Sequence, residues 1–489
     1  MMPSPALRRA ALASELLPVL TGLAVLAIIA FAGPGPERPR VAAAAEAAAP
    51  APAPALALTN ATLIDGTGRA PRPRMTVLVR GSRIADVFPA GRQPLPADAQ
   101  VVDLTGRYLI PGLIDAHVHL GTRPRPAGMM QQILRAALLS GVTAVRDMGG
   151  SAAVVTPLAR AALPDTAMSP RIYYAAVLSG PGRWFTGEFG AHAAGGLPLG
   201  ESPLVRRVGT GTAVRQVVAE ARAAGATGIK IYDAVDAALV RALVAEARRQ
   251  GLRSWSHLAV QPTRPGELVA AGVEVVSHGD QFRAELTTTL PAGLGDSARR
   301  ALRQDEYRRM SPDDPALAAL LAQMKAAGTM LDPTLFVMLP LEPPADTTRA
   351  AMDQLLSAFR FAAAMTRRAA RAGVPIVAGT DAIGGSSANL HAELQLLVDS
   401  AGLTPLQALT AATRNAALAL GAQDSLGVVA PGMLADLVIL RADPSRDIRN
   451  TQTVEAVVRA GHLHRRSAPL RPGPLAQPAP QPGARKENR

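Results

Sequence analysis

Eight short apolar runs recur through the middle of the chain, at about 113–119, 142–147, 172–178, 228–232, 254–258, 273–278, 329–337 and 374–380. Each has the length of a buried strand. Most are followed by an Ala/Leu/Arg stretch with helical spacing, clearest at 131–139, 213–224 and 237–250. Strands that alternate with helices imply a parallel sheet, because a parallel partner is reached only by a crossover. Eight such units over roughly 310 residues predict an α/β fold closed into a (β/α)8 TIM barrel at 111–425.

The flanks have a different texture. At 56–110 short alternating runs (58–64, 75–79, 100–104) are broken by Gly and Pro, and the pattern returns at 426–465 (435–440, 454–458). These are strand signals. They predict one small β-sandwich domain formed from both chain termini. Further out, Arg8 and Arg9 precede an uncharged apolar stretch at 16–33 and a Pro/Ala-rich segment. That order predicts a signal peptide over 1–45, cleaved near 43–49, or alternatively an uncleaved membrane anchor. Either places the protein in the periplasm or outside the cell, secreted or membrane-anchored. Residues 46–55 read as a linker, and 466–489, rich in Pro, Gln, Ala and Arg, as a disordered tail.

Composition removes several chemistries. Cysteine is absent, which excludes disulfides, thiolate metal sites and cysteine nucleophiles. The formal charge is +13, but the basic residues are scattered and no dense run is interleaved with aromatics. A nucleic-acid partner is therefore not expected, and a small-molecule substrate is. Only three of the 51 basic residues are lysine, namely Lys230, Lys325 and Lys486. Lys230 sits inside the apolar run 228–232, a position that suits a neutral amine and not a guanidinium.

Reactive groups of such barrels lie at the C-terminal ends of the strands. His117 and His119 end the first run, Lys230 lies in the fourth, His257 ends the fifth, His278 the sixth, and Asp381 follows the eighth. Six potential metal ligands thus converge on one rim. Residues i and i+2 of a strand face the same way, so His117 and His119 can chelate one ion. Imidazole and carboxylate suit zinc and similar divalent metals. A protonated lysine has no free lone pair. Burial favours the neutral amine, which can add carbon dioxide; the resulting carbamate can bridge two metals about 3.5–4 Å apart.

Other polar residues carry weaker signals. Tyr232, two residues after Lys230, is a candidate hydrogen-bond donor to the substrate or only a locally satisfied hydroxyl. His192, in the Gly-rich stretch 187–192, is a candidate substrate contact on a loop, or a loop residue with no such role. His391 and Glu393 follow the eighth run and suit either substrate contact or a helix start. Arg146 and Asp147 end the second run and read as a structural pair. The segments 180–203 and 279–312, the second carrying Arg283, are expected to set specificity.

At these residues the chain resembles the amidohydrolase superfamily. The motifs are PGLIDAHVH at 111–119, GIKIY at 228–232, SH at 256–257 and at 277–278, GTD at 379–381 and GMLADLVIL at 432–440. Together with TPLQAL at 404–409 and ATRNA at 412–416, they look most like the imidazolonepropionase-like branch, which includes metal-dependent Xaa-Pro (prolidase-type) and other dipeptidases. The resemblance implies a first metal on His117, His119 and Asp381, a bridging N6-carboxylated Lys230, and a second metal on His257 and His278. Zinc is the default ion, with manganese, iron or cobalt as alternatives. Deaminase relatives carry a glutamate shortly after a metal-binding histidine, and no such glutamate follows His257 or His278 here. The implied reaction is hydrolysis of a C–N amide bond, peptide or cyclic, by a metal-activated hydroxide, with a dipeptide-like substrate. Asp381 would act as the catalytic proton acceptor and Tyr232 would assist the carbonyl. A lactonase or phosphotriesterase-like hydrolase and a non-catalytic scaffold are the alternatives, and the sequence leaves the oligomeric state open.

Overall fold

The computed structural model describes residues 55–466 except 123–124, 127, 182–187, 199, 288–295, 340–347, 350–351, 354–355 and 384–388. The expected signal or anchor, nearly all of the linker and the tail lie outside the described residues. No helix among the described residues is long and apolar enough to cross a membrane.

The described residues open with five strands, β1 (Ala55–Leu63), β2 (Arg72–Arg80), β3 (Arg83–Pro89), β4 (Gln100–Asp103) and β5 (Tyr108–Pro111). They belong to an eight-stranded sheet completed by three strands from the far end of the chain, β16 (Leu437–Leu440), β17 (Val454–Arg459) and β18 (His462–Arg465). The order is β18-β17-β16-β5-β1-β2-β3, with β4 also paired to β1. The two ends of the chain meet where β5 runs antiparallel to β16, Pro111 opposite Leu437 and Tyr108 opposite Leu440. The sheet also turns back on itself: Ile84 N–H donates to Met433 O and Gly432 N–H to Ile84 O, both at 2.8 Å. Alternating residues such as Leu56 and Leu58, Val77 and Val79, and Leu437 and Ile439 face the enclosed apolar core.

The passage into the barrel is tight. Gly112 separates β5 from β6 (Leu113–His119), and a Cβ there would lie 2.0 Å from Thr143 Oγ1. Only glycine lets the two domains join this closely. The barrel then continues through β7 (Val142–Asp147), β8 (Arg171–Ser179), β11 (Gly228–Ile231), β12 (Arg253–His257), β13 (Val275–Ser277), β14 (Met330–Asp332) and β15 (Ala382–Ile383), all parallel. Two further short strands, β9 (Glu201–Ser202) and β10 (Val205–Arg207), form a hairpin whose second strand adds to β8. With only two and three residues, they leave no periodic trace in the sequence.

The ring closes through residues 375–381. Leu331 N–H donates to Pro375 O (2.9 Å) and Val377 N–H to Leu331 O (2.8 Å) on one side. On the other, Ala116 N–H donates to Ala378 O (3.0 Å) and Asp381 N–H to His117 O (2.8 Å). Helices pack outside by amphipathic spacing. In Ala237–Arg249 the buried residues are Val240, Leu243, Val244 and Ala247, and Asp236 caps the first turn by accepting from Leu239 N–H.

Inside, side chains on alternate strand positions stack from floor to mouth. The helix Arg414–Leu420 plugs the floor, its Ala416, Ala417, Ala419 and Leu420 sharing a core with Ile114, Trp255, Val275, Met330 and Val377. Trp255 is fully buried, donates Nε1–H to Ala419 O (3.0 Å), and carries the Arg146 guanidinium 4.8 Å above its ring. Truncating a buried Trp costs about 3–5 kcal/mol. Trp255→Ala is therefore expected to lower the unfolding free energy by that amount, read from the midpoint of a urea titration.

Candidate metal centre and active site

Two residues above the floor, the inward positions become polar. Lys230 follows Gly228, His257 follows Trp255, Ser277 follows Val275 and Asp332 follows Met330, each at i+2. The first strand reaches the mouth differently. Its register against β7 slips between Asp115 and Val118, and such irregularities re-aim side chains. Asp115, fully enclosed, holds the slipped segment against the eighth stave: its carboxylate accepts from Thr380 Oγ1 (2.8 Å), Thr380 N–H (3.1 Å) and His117 N–H (3.2 Å). Burial, opposed by these hydrogen bonds, pushes its carboxyl up to about 7. The next residue after Thr380 is Asp381.

At the mouth, Asp381 Oδ1 lies 3.0 Å from His119 Nε2 and 3.4 Å from His117 Nε2, and its Oδ2 lies 3.8 Å from His278 Nδ1. One ligand atom each from His117, His119 and Asp381 falls within 4.8 Å of the others. The partners on the far side of two rings fix their tautomers. His119 Nδ1 is 3.0 Å from the Gly149 carbonyl and His117 Nδ1 is 2.7 Å from Asp332 Oδ2. A carbonyl and an ionised carboxylate only accept, so both Nδ1 atoms carry the proton and both Nε2 lone pairs face Asp381. The remaining rings complete the cluster, with His117 to His278 at 5.2 Å and His257 to His278 at 4.6 Å between centroids. The Tyr232 ring lies against that of His257, centroids 3.9 Å apart and planes tilted by 50°.

Lys230 is fully buried beneath this ring of imidazoles. Its Nζ donates to Ser277 Oγ at 2.9 Å, and Ser277 Oγ in turn lies 3.3 Å from Asp332 Oδ2. Burial, helped by the Arg146 charge and opposed by Asp332 and Asp381, pulls the amine from its ordinary value of 10.5 down to about 7.

The histidines are tuned towards neutral imidazole, the form that ligates. Burial takes His278 down to about 4, and burial with the neighbouring Lys230 and histidines holds His257 well below its usual range. His117 is also lowered, burial outweighing the two aspartates. His119 goes the other way: burial lowers it, but the Asp381 hydrogen bond and charge prevail. For Asp381 the burial cost is overcome by His117, His119 and His278, so its carboxyl is held far below the usual range. With 19% side-chain exposure against 1% for His117, Asp381 is the part of this triad open to the mouth.

Strain concentrates here. His278 (φ 75°), Thr334 (φ 50°) and Asp381 (φ 54°) take left-handed backbone at the ends of the sixth, seventh and eighth staves. Non-glycine residues hold such angles at a cost of about 1–3 kcal/mol, and they cluster at functional sites. Packing is equally close at Gly379, where a Cβ would lie 2.5 Å from Asp332 Oδ1 and 2.6 Å from His117 Cβ. Gly379→Ala must push both apart; the expected result is weakened metal retention after dialysis against chelator-free buffer, with the secondary structure intact.

The model of the amidohydrolase family matches residues 108–463. The chain belongs to the amidohydrolase family. An imidazolonepropionase of Anaeromyxobacter dehalogenans is 30% identical over 397 residues, 75% of this chain and 84% of that protein. Among solved structures, a prolidase in complex with N-methylphosphonate-L-proline is 25% identical with a TM-score of 0.63, covering 84% of this chain and all of the other. The ochratoxinase of Aspergillus niger shares the fold, with a TM-score of 0.66 at 22% identity over 84% of this chain and 96% of that one. This amidohydrolase is accordingly a metal-dependent hydrolase acting on carbon–nitrogen amide bonds.

Two readings of this amidohydrolase's sequence need correction. His391 is not a substrate contact. It is buried, its Nδ1 lies 3.0 Å from Thr451 Oγ1 and its Nε2 3.0 Å from Ser140 O. Ser140 precedes β7, at the opposite end of the barrel from the metal ligands, so His391 staples the helix Asn389–Asp399 to the barrel base. Arg146 and Asp147 are not a pair either. As adjacent strand residues they face opposite ways: Arg146 points inward to Asp332 (3.4 Å), and Asp147 accepts from Leu120 N–H (2.6 Å) and Gly149 N–H (3.0 Å). Glu393, fully buried, accepts from Leu335 N–H (3.2 Å) and Phe336 N–H (2.7 Å). His192 lies half-buried in the helix Glu188–Ala194, and the adjacent Ala193 packs with Val177, Val205 and Tyr232. No contact among the described residues ties its imidazole to the cluster. Arg283 is buried and engaged with Tyr307 Oη (3.1 Å) and Glu306 (3.4 Å), anchoring the helix Asp296–Arg309.

Proposed function

We propose that this amidohydrolase is a binuclear metallo-dipeptidase, cleaving a dipeptide-like amide with two divalent ions, zinc by default, bridged by an N6-carboxylated Lys230. The observation that carries this reading is the placement of one enclosed lysine amine beneath a converging set of four imidazoles, three of them held towards the neutral form by burial, and an ionised carboxylate. The donor set fits such ions: nitrogen and oxygen ligands, no sulfur, and two imidazoles whose lone pairs face the same carboxylate. His117, His119 and Asp381 would hold one ion, His257 and His278 the other, and carboxylated Lys230 both. Bound there, such ions would supply Lewis acidity for the scissile carbonyl and would lower the pKa of a water towards neutrality.

The protein's own groups do the rest. Asp381, ionised and open to the mouth, accepts the proton of the attacking water and returns it to the leaving nitrogen. Tyr232, its ring tilted against that of His257, donates its hydroxyl to the carbonyl oxygen as negative charge develops there. Tyr232→Phe should lower kcat on the order of 10²-fold with little change in KM, as loss of one oxyanion donor does; an unchanged kcat removes Tyr232 from the reaction. The prolidase among the structural neighbours supports a dipeptide as the first substrate to try.

The deciding experiment joins elemental analysis to a substrate panel. Protein purified without chelator and dialysed against metal-free buffer should retain about two ions per chain and hydrolyse dipeptides or acyl-amino acids faster than lactones or aryl phosphates. About one ion per chain removes the bridged centre, and a preference for lactones or phosphate esters removes the peptidase reading. Export is part of the proposal: Arg8, Arg9 and the apolar stretch 16–33 support it, and N-terminal sequencing of the native protein distinguishes cleavage near 43–49 from an anchor.

A further inference from the structure

The seventh stave contributes no candidate ligand, yet it touches two of them. We infer that Asp332, the last residue of this stave, and Thr334, two residues beyond it, are positioning residues that aim His117 and His278 at the metals. The inference rests on the metal-centre reading above and assigns a task to residues that reading leaves idle.

Asp332 lies 2.7 Å from His117 Nδ1 and 3.4 Å from the Arg146 guanidinium. If its purpose were only to neutralise Arg146, the closer contact would be to Arg146. Its hydrogen bonds to His117, Ser277 and Arg146 all use Oδ2; among the described residues Oδ1 has no hydrogen-bond partner. Gly379 leaves just the space that Oδ1 occupies. The carboxylate is thus held in one orientation, and that orientation presents Oδ2 to the imidazole.

Thr334 repeats the arrangement without any charge. Its Oγ1 is 2.9 Å from His278 Nδ1, and it reaches that position through a left-handed backbone at φ 50°. Glu393 fixes the turn that follows by accepting from the next two N–H groups, those of Leu335 and Phe336. The same stave holds the histidine's main chain, since His278 N–H donates to Asp332 O at 2.9 Å. The Thr334 hydroxyl holds the imidazole by Nδ1 and can accept its proton, and that tautomer leaves the Nε2 lone pair for a metal, the arrangement the Asp332 carboxylate imposes on His117.

The test is zinc affinity of the metal-free full chain, by competition with a chromophoric chelator, for wild type, Asp332→Asn, Thr334→Val and Thr334→Ser. Removing a partner of a ligating histidine typically weakens metal binding about 10–100-fold. Thr334→Val should lose affinity in that range, Thr334→Ser should restore it, and the thermal midpoint of the metal-free protein should not move with either. Asp332→Asn should lose affinity for one ion while the other is retained; because it also leaves Arg146 without a counter-charge, the Thr334 variants decide if it does not fold. Wild-type affinity in Thr334→Val, or equal loss in Thr334→Ser, overturns the inference. A wild-type chain that binds no zinc instead overturns the metal-centre reading, and is seen before any variant is compared.

Discussion

Asp381→Asn is expected to lower kcat by about 10²–10⁴-fold while leaving KM nearly unchanged, the range for loss of a positioned acid–base group. The substitution keeps the shape of the side chain and one oxygen for a metal. It removes the charge that lets the group take a proton. In the structure this carboxyl is held far below its usual range by His117, His119 and His278, against the cost of burial, so it is ionised at any pH at which the enzyme works. Its strained backbone and its N–H bond to His117 O fix where it points. Steady-state kinetics with metal content measured on the same sample separate the two roles: a slow enzyme with full metal identifies the proton acceptor, and normal turnover removes the assignment. The acid limb of kcat should not follow this carboxyl, because its histidine neighbours hold it far below the ordinary carboxylate range.

Lys230→Ala should cost at least as much, by a different route. Lys230 is the side chain that can bridge the two halves of the ligand set, and it has no exposed surface. Its loss should leave a chain that retains fewer ions after dialysis and turns over only slowly. The alanine leaves a hole the size of the missing side chain, so a small carboxylate such as acetate or propionate should restore part of the activity by standing where the proposed carbamate would stand. No recovery at any carboxylate concentration, with metal content unchanged, would mean the lysine serves another purpose. The wild-type chain gives an independent reading. Its amine is shifted down to about 7, so the neutral, CO2-reactive fraction rises as pH rises through that value. Metal-free protein should therefore regain activity faster at pH 8 than at pH 6 when metal and dissolved CO2 are held constant. The opposite order would argue against carboxylation.

Most of the barrel was legible because buried strands of a parallel sheet are apolar on both faces and stand out from their helices. The clustering of the candidate ligands was legible for a related reason: a histidine or lysine at the end of such a run has few structural uses. Asp332 and Thr334 were overlooked although they occupy the same kind of position, at i+2 and i+4 from Met330 in an apolar run. The run 329–337 was read as one buried strand, whereas the strand ends at Asp332 and the chain turns into a left-handed backbone at Thr334. Asp115 was hidden inside a recognised motif, since only the slipped register of β6 turns it towards Thr380. His391 misled because proximity in sequence to the eighth stave suggested the mouth, whereas the helix carries the residue back to the barrel base. Arg146 and Asp147 misled because adjacent opposite charges look like a pair, which strand geometry forbids. The hairpin β9–β10 and the contacts of Glu393 depend on long-range packing that no local pattern records.

The join between β5 and β16 has a consequence for synthesis. The five strands made first share a sheet with three made last, and the whole barrel is translated in between. Until Leu437–Leu440 leaves the ribosome, the edge of β5 that it will occupy presents unpaired main-chain groups, a surface to which any extended segment can add. Completion of that sheet is therefore a late event with a large loop-closure cost. A nascent or truncated chain ending before β16 carries every proposed metal ligand and still has a sticky edge, which makes the last strands guardians of solubility as much as parts of the fold.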